Sequence, residues 1–413
     1  PFLTRKFVYA PLAQPMALTQ PAQAGTKAPV TIWKGSLMFR SLLLAPIAAV
    51  ALIAPMAQAQ TVEEAVARLN ELGQTYNNAP IDAAALAEIQ SLSFSNDAQK
   101  LLTDADIALL TLMPKLGYLS LDGTALSPAA FDRLSEIPGL WNISLRVANM
   151  TDAHIQALSD VAGLTSIDLT MNEGITDASM PLLAAHAGLT QLSLDATAIT
   201  DAGLAALEGH PAMSRLSLGR TKITDAGLAS VGKIAGLTAL QISDTAVTGS
   251  GFADLTGLTM LREIGMMNAP VTDAGMVHLA AIPSLEWVFA WYTQITDAAL
   301  PELAKLPKLD TLYLNKTGVT DAGLAAFAGH PTLAMLWLGE TAVTDAGMAS
   351  LTTASALRNV QIDRTAVTDA GLLVLAGIAT VDYISAYDAQ VTDAGIEAAM
   401  ALAGRNPDLR ISK

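Results

Sequence analysis

Residues 189–212 read LTQLSLDATAITDAGLAALEGHPA, and this one stretch holds two different spacings. Leu192 and Leu194 stand two apart, the period of a strand, whereas Ile199, Leu204 and Leu207 follow at spacings that suit a turn and a short helix. Thr200 falls where a helix N-cap belongs. Asp201 falls in the first turn, where a negative charge meets the positive helix end. Ala202 and Gly203 are small enough for close packing, and Pro211 stops the helix. One strand and one helix of this length cannot bury both sets of leucines, so the stretch requires neighbours of its own kind.

Those neighbours are present. Aligned on Thr-Asp-Ala, the register positions are Thr103, Ser127, Thr151, Thr176, Thr200, Thr224, Thr248, Thr272, Thr296, Thr320, Thr344, Thr368 and Thr392. Successive positions are 24 residues apart, except that an extra residue around Asn172-Glu173-Gly174 makes one interval 25. The pattern L-x-x-L-x-L-x-x-T-x-I-T-D-A-G-L resembles a leucine-rich repeat, close to the cysteine-containing and bacterial variants, over roughly residues 89–411. The resemblance implies an α/β fold, a leucine-rich-repeat solenoid shaped as a curved horseshoe. One parallel β-sheet would line the concave face and short helices the convex face. It implies binding without naming a ligand, because such scaffolds bind very many things.

Two departures from the family pattern matter. The family commonly places Asn or Cys where this chain has Thr124, Thr197, Thr221, Thr245, Thr293, Thr317, Thr341 and Thr365, so a ladder of hydroxyls bonding the turn backbone is expected there. The first repeat also carries three extra residues between Phe94 and Thr103.

Around the repeats, residues 60–88 read as two helical pieces broken at Asn77-Asn78-Ala79-Pro80, a cap for the open N-terminal end of the core. The repeat domain, 89–413, holds about 13 units and closes on a half-strand carrying Leu409 and Ile411. From Met38 the chain has a positive start, an apolar run from Leu42 to Ala54 and Ala-Gln-Ala at 57–59, the layout of a cleaved secretory signal peptide over 38–59. That apolar run, interrupted by Pro46, falls short of the roughly 20 residues a membrane span needs. Residues 1–37, without a start Met or an acidic residue, read as an upstream extension, disordered or mistranslated. The expected location is outside the cytoplasm, in a bacterial periplasm or the extracellular space.

Composition narrows the chemistry. The 413 residues are 52% hydrophobic and 15% charged with mean hydropathy +0.40, which excludes a disordered chain. The absence of cysteine removes disulfide scaffolds, thiolate metal sites and cysteine nucleophiles. Five of the 23 basic residues and none of the 38 acidic ones precede Gln60, so the body is strongly acidic and disfavours nucleic acid. One Asp per repeat supplies too few oxygens for a hard cation and reads as helix-dipole capping. His186, His210 and His330 share a repeat position with Ile137, Val161, Ile234, Ile282 and Leu306 and read as structural, as do His154 and His278. No phosphate loop, H-E-x-x-H or G-x-S-x-G occurs.

The concave strand positions carry the functional signal. Trp287, Phe289, Trp291 and Tyr292 fall in one unit, Tyr313 in the next, Met335 and Trp337 in the next, then Tyr383 and Tyr387. Phe289, Tyr313 and Trp337 are 24 apart, a side-by-side row on three strands. Residues 60–413 hold 15 aromatics, and eight of the nine between 285 and 388 lie on this surface, Phe327 being the helix residue. Mutual stacking explains a row, but not its confinement to one end and one face. Nearby Glu263, Asn268, Asn315, Lys316, Glu340, Asn359, Gln361 and Asp363 are polar groups able to orient a ligand. The first half shows Ser120, Ser144, Ser193, Ser217, Asp168 and Arg215 instead.

The expectation is an exported, non-enzymatic binding protein that recognises a protein or peptide ligand through these aromatics, with no cofactor, metal or nucleic acid and no membrane span once the signal is removed. A glycan is the alternative ligand, since flat Trp and Tyr faces beside amides and carboxylates suit sugar rings. A hydrolase or effector built on the scaffold is the alternative of a different class, with no activated nucleophile to support it.

Overall fold

The computed structural model describes residues 61–94, 96–402 and 408–413, all within one compact unit, Ala59–Lys413. The expected upstream extension at 1–37 and the expected signal peptide at 38–59 lie outside the described residues. In that unit fourteen strands, from Ser91–Ser93 to Arg410–Ser412, form one parallel sheet in chain order. Adjacent strands pair like with like, Leu192 opposite Leu216 and Leu216 opposite Leu240. Because side chains alternate, the central Leu, Ile or Val of each three-residue strand enters the core and its neighbours face the open side.

Behind each strand runs a short helix. In the unit that opens at Leu189, α-helix Asp201–Leu204 continues as a 3-10 turn, Ala205–Leu207, and buries Leu204 and Leu207 against Leu192, Leu194 and Ile199. The return to the next strand is closed by His210, whose Nδ1 accepts the Met213 N–H at 3.2 Å and whose Nε2 lies 3.2 Å from the His186 carbonyl. His330 does the same for Leu333 N–H at 3.1 Å. Burial holds the His330 imidazole below its ordinary pKa, which favours the neutral ring that accepts the Leu333 N–H.

The threonine ladder is present and has a defined task. Each hydroxyl donates to the carbonyl three residues earlier, at 2.6 Å for Thr197 to Leu194 and Thr221 to Leu218, and at 2.7 Å for Thr365 to Ile362. The residue just before each of these threonines turns through the left-handed region: Ala196, Arg220, Asp244, Tyr292, Lys316, Glu340 and Arg364 all have φ between 53° and 59°. Side chains other than Gly adopt that backbone at a cost of about 1 kcal/mol or more, and the hydroxyl bond offsets it. In the unit with the extra residue Asn172 takes the Thr place. It accepts from Ala148 and Met150 N–H and donates to the Leu145 and Leu169 carbonyls, spanning two units.

The repeating aspartate does more than face its own helix. Asp177 accepts the Thr200 N–H at 2.8 Å and the Thr200 hydroxyl at 2.5 Å, and Asp201 accepts both from Thr224 at 2.7 Å. Thr200 Oγ1 in turn accepts the Ala202 N–H at 3.3 Å, so cap and clamp share one hydroxyl. The glycine of the motif makes room for this joint: a Cβ on Gly203 or Gly227 would land on Oδ1 of Asp177 or Asp201. Two units lack the carboxylate. Pro128 stands in its place in one, and Gly249, with φ 99°, in the other, where Thr272 N–H bonds the Thr248 carbonyl at 3.1 Å instead.

The N-terminal cap differs in detail from the sequence expectation. Helices Val62–Glu71 and Ala83–Glu88 flank a two-stranded antiparallel hairpin, Thr75–Tyr76 with Ala79–Pro80, where a simple break was expected. Asn77 and Asn78, at φ 52° and 62°, form its turn, a conformation Asn tolerates. Leu69, Leu72, Ile81 and Leu86 close the end of the core. Arg68 ties the cap to the first repeat through Asp106 Oδ1 at 2.7 Å and the Leu101 carbonyl at 2.8 Å. Among the described residues no helix is long and apolar enough to cross a membrane.

Candidate ligand-binding face

Strand register places the expected residues in parallel columns on the open face. Trp287 pairs with Thr311 and then Met335, and Phe289 with Tyr313 and then Trp337. Within this patch four rings meet. Tyr313 and Trp337 stack at 3.8 Å between centroids with planes 3° apart. Trp291 lies parallel to both, 5.5 Å from Tyr313 and 6.3 Å from Trp337, and Phe289 leans against Tyr313 at 4.9 Å and 57°. The Tyr313 hydroxyl donates to Met335 Sδ at 3.1 Å, which draws Met335 into the same group.

The other four expected aromatics stand apart. Trp287, Tyr383, Tyr292 and Tyr387 make no ring contact with the cluster among the described residues. Tyr383 donates to Ser412 at 3.2 Å, and Tyr292 carries Lys316 Nζ 4.6 Å above its ring.

Stacking between neighbouring strands fixes how the rings are presented. The planes of Tyr313 and Trp337 face along the repeat axis, toward each other, while Trp291 lies parallel beside them and Phe289 leans across at 57°. All four are half-buried. Burial, with the charge of Asp310 beside it, pushes the Tyr313 phenol up to about 12. The indole N–H groups of Trp287, Trp291 and Trp337 have no hydrogen-bond partner among the described residues. At the border, Asn315 Nδ2 reaches over Gly339 to Gln361 Oε1 at 2.6 Å, a path that a Cβ on Gly339, 2.8 Å from that nitrogen, would obstruct. The Oδ1 atoms of Asn315 and Asn359 are buried without partners.

Charges along the two margins are matched. Lys316 pairs with Glu340 at 3.6 Å, and Arg364 with both Glu340 and Asp388 at 3.3 Å. On the other margin Arg262 pairs with Glu286 at 3.8 Å and Arg358 with Asp382 at 3.6 Å. These pairs balance, whereas Asp363, and Asp310 beside Tyr313, have no basic partner among the described residues.

Several polar groups in the first half of the face satisfy one another. Ser144 donates to Asp122 at 2.6 Å, and Ser217 to Asp195 at 2.7 Å. Burial raises the Asp195 carboxyl above its ordinary pKa despite the donors Ser217 and Gly219. In the middle Gln241 bonds Glu263 at 2.8 Å, lying where a side chain on Gly265 would stand.

No protein-family model matches the sequence, and no curated protein does. Among solved structures, an internalin from Listeria monocytogenes superposes with a TM-score of 0.60 at 20% identity, over 84% of this chain and 94% of that one. A leucine-rich-repeat protein from Leptospira interrogans gives a TM-score of 0.47 at 12% identity, over 75% of this chain and 80% of its own. The fourteen parallel strands in chain order, the hydroxyl ladder behind eight of the turns and the internalin superposition make this chain a leucine-rich-repeat solenoid.

Proposed function

We propose that the protein is a non-enzymatic binding scaffold, exported by the leader at 38–59, that holds an extended peptide or protein segment across the aromatic half of its open face. The parallel cluster of Trp291, Tyr313 and Trp337 carries this reading. Trp337 covers one face of Tyr313 and Phe289 leans on the same ring at 57°, which leaves a sugar ring little flat surface there. Two of its members, Trp291 and Trp337, keep indole N–H groups without a hydrogen-bond partner among the described residues. An extended backbone offers carbonyls to those donors, and an outward turn of the Asn315 or Asn359 amide would meet a backbone N–H. Matched charges on both margins make the binding depend on apolar contact and hydrogen bonds, so salt alters it little.

The test is an array of short synthetic peptides probed with the full chain. Trp337→Ala weakens the peptides that bind by about tenfold or more, the signature of a hot-spot aromatic, and costs about 1 kcal/mol of stability for the lost stack. Loss of stability with unchanged peptide binding would show that the rings only brace the sheet. Export is checked separately: protein recovered from outside the cytoplasm begins at Gln60.

A further inference from the structure

The opposite end of the face carries an aromatic group outside the strand alternation. Trp141 stands one residue before strand Asn142–Ser144 and is 50% exposed. Its indole lies against the backbone of Gly117 in the preceding unit, where a Cβ would come within 2.5 Å of Nε1 and 2.9 Å of Cδ1. Trp141 and Tyr118 line a shallow groove of about 440 Å³ together with Gln90 and Ser91. A second groove, of about 370 Å³, shares Gln90 and Ser91 and runs on past Gln74 and Tyr76 of the cap hairpin.

Three features set this place apart from the aromatic cluster. Trp141, Tyr118 and Tyr76 make no ring contact with another aromatic among the described residues, so no neighbouring ring covers their faces. The amides of Gln74 and Gln90 and the hydroxyls of Ser91 and Tyr118 have no hydrogen-bond partner among the described residues. The lysine of the groove, Lys115, is held by both oxygens of Glu88 at 2.7 Å, which leaves no free positive charge for an anion.

We infer that this groove binds a neutral oligosaccharide. The C–H face of one pyranose ring packs on the Trp141 indole, and the ring hydroxyls bond the amides and hydroxyls between Trp141 and Tyr76. Separate rings interleaved with neutral donors and acceptors suit successive sugar units, each with one apolar face and a polar rim. The site uses residues distinct from those of the peptide-binding reading and stands or falls without it.

The test is calorimetric titration of the full chain with cellohexaose, chitohexaose and maltohexaose at millimolar concentration. At least one binds, the affinity is unchanged by about 0.5 M NaCl, and Trp141→Ala weakens it by about tenfold or more. Trp141→Phe restores part of the loss, and an unchanged melting temperature shows that the variants remain folded. Absence of binding by all three sugars overturns the inference, as does a sugar that binds Trp141→Ala like the parent chain. Loss on Trp337→Ala with retention in Trp141→Ala would move the sugar to the cluster, and peptide binding that depends on Trp141 in place of sugar would make the class of ligand wrong.

Discussion

Asp152→Ala removes the carboxylate that joins one repeat to the next. Asp152 accepts the Thr176 N–H at 2.9 Å, the Thr176 hydroxyl at 2.6 Å and the Ser179 hydroxyl at 2.5 Å. A hydrogen bond to a charged group contributes about 1.5–3 kcal/mol when shielded, but this carboxylate is half-exposed and both hydroxyls can turn to water. The loss expected for all three together is therefore about 2–3 kcal/mol. A double-mutant cycle with Thr176→Val, read by urea unfolding, isolates the pair and should give a coupling of about 1 kcal/mol. Hydrogen exchange should quicken in the units on either side and stay unchanged near Thr344, because repeat interfaces act locally. A coupling near zero, or protection lost evenly along the chain, would refute the clamp.

The same carboxylates set the response to acid. Burial works to raise the Asp152 pKa, but the bonds from Ser179 and Thr176 outweigh it and hold the group below its ordinary 3.8. Asp225 is held down in the same way by Thr248 and Gly251, and Asp104 chiefly by the Ser127 hydroxyl. A carboxyl whose pKa is lower folded than unfolded stabilises the fold above its unfolded value. That contribution is lost as pH falls through the folded value. Stability should therefore fall steeply below about pH 4, and less steeply in Asp152→Ala.

Three further outcomes follow from the packing. Leu216→Ala, at a position 2% exposed, should cost about 2–5 kcal/mol in denaturant unfolding and loosen the adjoining repeats first. Gly323→Ala should destabilise, although Ala ordinarily favours a helix by about 1 kcal/mol, because the new methyl meets Asp297 Oδ1 and comes within 2.8 Å of Leu300 Cδ2. In an ultraviolet titration one tyrosine, absent in Tyr313→Phe, should ionise near pH 12; a full complement titrating near pH 10 would deny Tyr313 its burial.

The period exposed the strand, the helix and their order, since each repeat states them again. It could not say what the aspartate touches. With Thr or Ser at the cap of every unit, spacing alone leaves the carboxylate free to serve its own helix, and only packing shows that it reaches across. The cap hairpin was hidden because Asn77-Asn78 reads as a break unless both residues turn left-handed. Alternation put Phe289, Tyr313 and Trp337 on one face. It did not separate the rings that interlock from Trp287, Tyr292, Tyr383 and Tyr387, which depend on rotamers. Trp141 escaped notice because it precedes its strand; the available signal is Gly117, 24 residues earlier, a small residue under a large one.

Tension applied to the two ends would meet the layers in series. The strands lie across such a pull, so repeats would peel in turn, each releasing 24 residues, about 80 Å of extended chain. Most joints carry the same carboxylate, so the steps should require similar force. The joint between Thr248 and Thr272 has Gly249 in place of Asp and one backbone bond at 3.1 Å where others have a carboxylate. Rupture should begin there, just ahead of the aromatic strands, or at the joint between Ser127 and Thr151, where Pro128 stands in place of Asp; the former would part the polar half of the face from the half that carries the cluster.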